Sequence, residues 1–327
     1  MDNKREIIVS KIEKYGFNVK VLNTIIAVMV AIFTIAFFVV YSKEKARYEL
    51  ENSNYAARLK QIEQDQLYLI YGNVTPNNGT VNKKTAEQPM FKNAKEAVVF
   101  AFNKFYNYTT YETETTGYTI TDVVGQHVEV MLQTKSCKWD DGLEYEQNMI
   151  YETKTDFGQS KATECVYQNG KYIREGKNLR NNNGTLTADF SGKYKKVDSV
   201  LTKKPMLIIN DQTVLQNVSY SFIRDKNNQI LYYTARVRLD TEESIKTYGQ
   251  SIKEEGGTSY PIFSELEITC NIDRDGNLIS YSSHEKMTLS KNIVIIGAVT
   301  TTMTNDYVTI IKSYNQVPSI PKNIEIA

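Results

Sequence analysis

The chain has 327 residues with 39 basic and 38 acidic side chains, and the resulting formal charge of +1 supplies no global field for a polyanion, which sets nucleic-acid binding aside. Three cysteines, Cys137, Cys165 and Cys270, form no CxxC pair and no metal-ligand spacing, and an odd number leaves no complete disulfide framework. The simplest reading makes them small apolar residues of a core, half-buried and unbridged.

Residues 1–20 read as a short cytoplasmic tail. From Val21 to Tyr41 runs VLNTIIAVMVAIFTIAFFVVY, 21 uncharged and mostly apolar residues, long enough as a helix to cross a hydrocarbon layer of about 30 Å. A cleaved signal would have a shorter apolar core and a small-x-small site, neither of which is present at Tyr41-Ser42-Lys43-Glu44-Lys45. The expectation is a single transmembrane helix over 21–41. Basic residues are balanced across it, with Lys4, Arg5, Lys11, Lys14 and Lys20 before and Lys43, Lys45, Arg47, Arg58 and Lys60 after, so the positive-inside rule does not orient it. Orientation rests on the large Tyr-, Thr- and Asn-rich remainder, which reads as extracytoplasmic.

Residues 42–71 read as a juxtamembrane helix, because Tyr48, Tyr55, Leu59, Ile62 and Leu69 recur at helical steps. That narrow seam over 48–69 fits a homodimeric coiled coil, or equally a single helix lying on the following domain. Residues 72–88 have linker composition. A first α+β domain is expected over 89–200. It opens with a helix from Asn93, with Glu96 as capping-box partner and Ala94, Val98, Ala101, Phe102 and Phe105 on one face. Strands follow, separated by Asp140-Asp141-Gly142 and by the hairpin signal Asn169-Gly170. The stretch 176–192 reads as a second linker.

A second α+β domain is expected over 201–327. Strands are predicted at 206–209, 214–223 and 229–239, then a helix from the N-cap Asp240 to Gly256, with Ile245, Tyr248 and Ile252 on its buried face. Four strands close the chain, at 262–272, 278–289, 293–303 and 307–314. The fold class is thus α+β, an N-terminal transmembrane helix followed by two domains of antiparallel sheet covered by helices.

Candidate sites are sparse. Asp273, Asp275 and Asn277 alternate as in the start of a calcium loop, but Gly276 falls too early and the closing position holds His284 instead of Glu, so a hairpin turn explains them better. His127 and His284 lie in predicted strands without a neighbouring Cys or Asp in sequence. The sequons at Asn73, Asn78, Asn107, Asn183 and Asn217 matter only in a eukaryotic secretory pathway. The 23 tyrosines suit half-exposed strands as well as a sugar-stacking surface. No catalytic, metal or cofactor residues are assigned, and no ligand-binding residue is singled out.

The order of a helix at 93–108, long strands, a capped helix at 240–256, then Pro261-Ile262-Phe263 leading into Ile268-Thr269-Cys270-Asn271-Ile272-Asp273-Arg274-Asp275-Gly276-Asn277-Leu278 resembles the LolA/LppX-type half-barrel of exported lipoprotein carriers. That resemblance covers most of residues 90–315 and implies an apolar ligand or partner held between a concave sheet and its helices. The tail, single anchor and juxtamembrane helix also resemble VirB8-like conjugation proteins, although there the helices precede the sheet. The expectation is a single-pass, extracytoplasmic binding or scaffold protein of the cell envelope, not an enzyme. The alternative is a structural component of a Gram-positive conjugation or secretion channel.

Overall fold

The computed structural model describes residues 29, 42, 54–73, 87–123, 126–153, 160–198, 205–254, 260–293, 297–322 and 324. The expected transmembrane segment 21–41, apart from Met29, and the tail 1–20 lie outside them. Among the described residues no helix is long and apolar enough to cross a membrane. The chain divides into two compact units, Met1–Ala57 and Arg58–Ala327. In the first, only Met29, Ser42 and 54–57 are described, all helical.

The second unit begins with α1, the helical residues 58–71, and continues through α2 (Ala94–Tyr106) into seven strands: β1 (Tyr111–Val123), β2 (Gln126–Lys138), β3 (Glu144–Glu152), β4 (Lys161–Tyr167), β5 (Lys171–Asn182), β6 (Thr185–Phe190) and β7 (Lys195–Asp198). Then come β8 (Val214–Arg224), β9 (Ile230–Leu239), α3 (Lys246–Glu254), β10 (Ile262–Asp273), β11 (Leu278–Ile293) and β12 (Gly297–Tyr314). One antiparallel sheet holds the strands in the order β6-β5-β4-β3-β2-β1-β12-β11-β10-β9-β8, with β7 pairing β5. The two expected domains, 89–200 and 201–327, are therefore halves of a single sheet. β1 of the first half pairs with β12 of the second from Tyr111↔Tyr314 to Asp122↔Thr302, a pairing between segments too far apart in sequence for local patterns to announce.

Local signals set the hairpins. Asn169 and Gly170 both adopt positive φ between β4 and β5, as do Asn183 and Gly184 between β5 and β6, the backbone that Asn and Gly tolerate best. The stretch 176–192 is consequently a hairpin and not the expected linker: its Asn and Gly are turn residues. Residues 297–314, expected within two strands at 293–303 and 307–314, are the continuous β12, while Ile293 ends β11 and residues 294–296 lie outside the described ones. Residues 206–209 form bends instead of a strand, with Leu207 and Ile209 buried in the core and the Tyr106 hydroxyl donating to Leu207 O at 2.9 Å.

Alternation assigns the two faces of the sheet. On one, α2 lays Ala94, Ala97, Val98, Ala101 and Phe102 against Tyr233, Ala235 and Val237 of β9 and Ile268, Cys270 and Ile272 of β10. Small alanines on the contact stripe let the helix approach closely. Its start is fixed as expected, Asn93 Oδ1 accepting from Glu96 N at 3.0 Å, but Glu96 reaches back to Lys92 N at 2.8 Å, one residue before the expected partner. α2 also ties down the edge strand β8, since Lys95 N donates to Asn217 Oδ1 and Lys95 Nζ to the carbonyls of Asp211 and Val214. β8 carries three register shifts against β9, which twist an exposed edge away from further pairing.

The opposite face carries α1. Arg58 donates to Gly184 O at 2.9 Å, Glu63 bonds Ser282 of β11, and Tyr71 stacks on Tyr232 of β9 with ring centroids 5.3 Å apart. Leu59 is buried while Leu69 is 81% exposed, so the expected seam does not run along one covered stripe. Here the helix lies against its own sheet, the second of the two arrangements its sequence allowed. The β5–β6 hairpin is clamped on this face by Gln133, whose amide donates to Gly184 O and accepts from Leu186 N.

Candidate ligand-binding face

On the α2 side the registers place one row of residues across five strands: Leu266 (β10), Glu285 (β11), Asn305 (β12), Thr119 (β1) and Val130 (β2). The next row runs Ile268, Ser283, Tyr307, Gly117, Leu132 and Ile150. Gly117 is required there, because a Cβ would lie 2.7 Å from Tyr307 Cβ and 3.1 Å from Asp306 O. Its bare backbone leaves room for the Tyr307 side chain beside β1.

Glu285 is fully buried and accepts from Ser283 Oγ at 3.2 Å, from Asn305 Nδ2 at 3.2 Å and from the Tyr307 hydroxyl. Desolvation raises its pKa above the usual carboxylate range, and the hydrogen bonds from Tyr307, Asn305 and Ser283 oppose that rise. The Tyr307 phenol is raised for the same reason, first by burial and then by Glu285. Asn305 Nδ2 also donates to the Tyr248 hydroxyl of α3 at 3.3 Å. Its Oδ1, on a residue only 4% exposed, has no hydrogen-bond partner among the described residues. An unmet acceptor at such depth costs about 1–3 kcal/mol.

Beyond this polar cluster the same face carries a short apolar strip, bordered by Glu152 opposite Val130 and by Thr134 and Asn148. Val128, Val130 and Leu132 of β2 and Ile150 of β3 are only half-buried, whereas α2 covers β8 to β11. The arrangement can accept an apolar body along β2 and β3 and a hydrogen-bond donor at Asn305.

The residues singled out in the sequence go elsewhere. Asp273 to Asn277 form the β10–β11 turn: Asp273 Oδ1 accepts from Asp275 N and Asn277 N, and Oδ2 from Asn277 Nδ2. Asp273's carboxylate is engaged in holding its own hairpin. Cys137, Cys165 and Cys270 are buried thiols, deeper than expected, with β3 between the strands of the first two. Burial pushes the Cys270 thiol upward. The side chain of His127 lies outside the described residues. His284 has carboxylate neighbours from other strands: Nδ1 lies 2.6 Å from Asp306 Oδ1 of β12 and Nε2 3.4 Å from Glu265 Oε2 of β10. Those partners are 22 and 19 positions away in sequence, so only strand pairing reveals them. They occupy the α1 face, away from the Asn305 cluster. The expected helix 240–256 starts later, at Lys246. Asp240 Oδ1 accepts from Glu242 N and Glu243 N in a turn, while Glu243 pairs with Lys246 instead of closing a box. Ile245 and Tyr248 do join the core, and the side chain of Ile252 lies outside the described residues.

No family model and no curated protein matches the chain. Solved structures similar to it include a DUF1329 family protein from Desulfovibrio piger, 9% identical, covering 70% of this chain and 96% of that one at a TM-score of 0.24. An outer membrane lipoprotein-sorting protein domain from Vibrio parahaemolyticus is 9% identical and covers 71% and 96% at a TM-score of 0.21. Lipovitellin, in a structure of its lipid-protein interactions, is 8% identical and covers 66% of this chain and 26% of its own at a TM-score of 0.26. The lipoprotein-sorting domain is of the kind that the element order resembles. Register and burial in this chain, not these distant likenesses, carry the functional reading.

Proposed function

We propose that the protein is a single-pass, membrane-anchored extracytoplasmic binding protein of the cell envelope that holds an apolar ligand or envelope partner on the α2 face of its sheet, and that it acts by binding and not by catalysis. The observation carrying this reading is the half-buried apolar strip Val128, Val130, Leu132 and Ile150 beside the buried, unpartnered Asn305 Oδ1. A sheet face that served packing alone would bury these side chains and satisfy that oxygen. The apolar run 21–41 supports the anchor.

A fluorescent long-chain fatty acid titrated into the purified protein tests the reading. Saturable binding is expected, weakened at least roughly tenfold by Leu132→Asp, since a charge placed on the strip costs well over the roughly 1.4 kcal/mol that a tenfold change represents. Absence of saturable binding, or binding indifferent to Leu132→Asp in a folded variant, would overturn it.

A further inference from the structure

We propose that α1 is a pH-gated strap: it closes over the sheet face opposite the ligand strip when Glu63 is protonated, and loosens when Glu63 ionises. This goes beyond the binding reading and does not depend on it. Three contacts hold the strap along its length, Arg58 on Gly184 O at its start, Glu63 on Ser282 near its middle and the Tyr71–Tyr232 stack at its end. The middle contact is unlike the other two. Glu63 is a carboxyl group within the helix-sheet contact, and its Oε1 is buried with no hydrogen-bond partner among the described residues. A neutral acid tolerates that position, because one hydroxyl of Ser282 serves one side and nothing charged is stranded. An anion does not: half of its charge would sit on an oxygen that no donor reaches.

The surroundings compensate that charge only in part. Lys60, one turn earlier on the strap, attracts it. On β11, His284 shares the face of Ser282 but is engaged by Asp306 and Glu265. On β10, Glu267 is held between Arg236 and Arg238 of β9, so those two guanidiniums are already committed. The buried Cys270 thiol lies within electrostatic reach and is neutral. Burial accordingly pushes the Glu63 carboxyl up to about 7, against the lowering effects of Ser282 and Lys60.

The direction of the response follows. With the strap closed, Glu63 keeps its proton to about 7; with the strap open, it titrates near its ordinary value of 4.5. The closed state is at full strength below the open-state value, where both states are protonated. It weakens progressively as pH rises from there to about 7, and it stays weak above. A difference of that size amounts to roughly two orders of magnitude in the closing equilibrium. Loosening would uncover Leu59 and the Ser282 stretch of β11, and would free the segment through which the chain enters its folded unit.

Hydrogen exchange of the full chain in detergent, followed for the peptide 58–71 and corrected for the intrinsic effect of pH, tests the strap. Protection should fall roughly a hundredfold between about pH 5 and about pH 8 in the wild type, and the fall should vanish in Glu63→Gln. Peptides from β10 and β11 report in the same run whether each variant is folded. Should Glu63→Gln misfold, Glu63→Leu removes the same ionisation with an apolar group suited to the site. His284→Gln should keep the response. Protection that is flat with pH in the wild type would overturn the proposal, as would a response that survives removal of the Glu63 carboxyl or disappears with His284.

Discussion

His284 sits between two acceptors that neighbouring strands bring to it, Asp306 and Glu265, and its pKa is raised, chiefly by the hydrogen bond to Asp306. A histidine whose folded pKa lies above its unfolded value contributes stability that is fully present below the unfolded pKa, near 6.5. The contribution is lost as pH rises through the raised value. Because His284 is 40% exposed, solvent screening holds it below about 1 kcal/mol. Asp306→Asn should flatten the decline in melting temperature across that interval while changing stability little at higher pH. A decline of unchanged steepness in the variant would show that another group titrates there. Glu285 stands in a different situation: its hydrogen-bonded neighbours lie on its own face, and burial is the largest cause of its raised pKa.

At the scale of single elements, α2 and α3 differ in how firmly they are built. α2 has a capped start, buried alanines and a Phe102 ring that packs edge-on to Tyr281 with centroids 5.3 Å apart. α3 starts after a turn and contributes Tyr248, whose hydroxyl receives the Asn305 hydrogen bond and whose ring meets Phe263. Phe102→Ala should therefore cost about 3–5 kcal/mol in urea unfolding, the range for emptying a well-packed aromatic site. A loss under about 1 kcal/mol would mean that α2 only rests on the sheet, since surface substitutions fall in that range.

At the scale of the whole molecule, the β1–β12 seam makes the two halves of the sheet one structure. Long ladders on both sides of it, β1 with β2 and β11 with β12, continue the pairing without interruption. Met131 on β2 and Leu266 on β10 are buried in opposite halves, and the seam should couple them. Met131→Ala and Leu266→Ala are each expected to cost about 2–5 kcal/mol and to lower one common midpoint, with circular dichroism and tyrosine fluorescence tracing the same curve. Separate transitions, each sensitive to only one substitution, would restore the expectation of two independent domains.

What the sequence determined by itself was local. Asn169-Gly170 and Asp273 to Asn277 announced their turns because the residues that adopt a left-handed backbone, or fold a carboxylate onto nearby amides, act within a few positions. The Asn93 cap and the apolar face of α2 were legible for the same reason. Composition misled where one residue type serves two purposes: the Asn-rich 181–184 turns a hairpin while reading as a linker; and residues 304–306, left between two expected strands, continue β12. Only the tertiary structure decided that β1 meets β12, that His284 meets Asp306, and that Glu285 and Asn305 share a buried row beside Leu132 and Ile150. Each of these depends on which strands are neighbours and in what register. A shift of one residue would send every side chain of a strand to the other face, and nothing within a few positions of the chain encodes that choice.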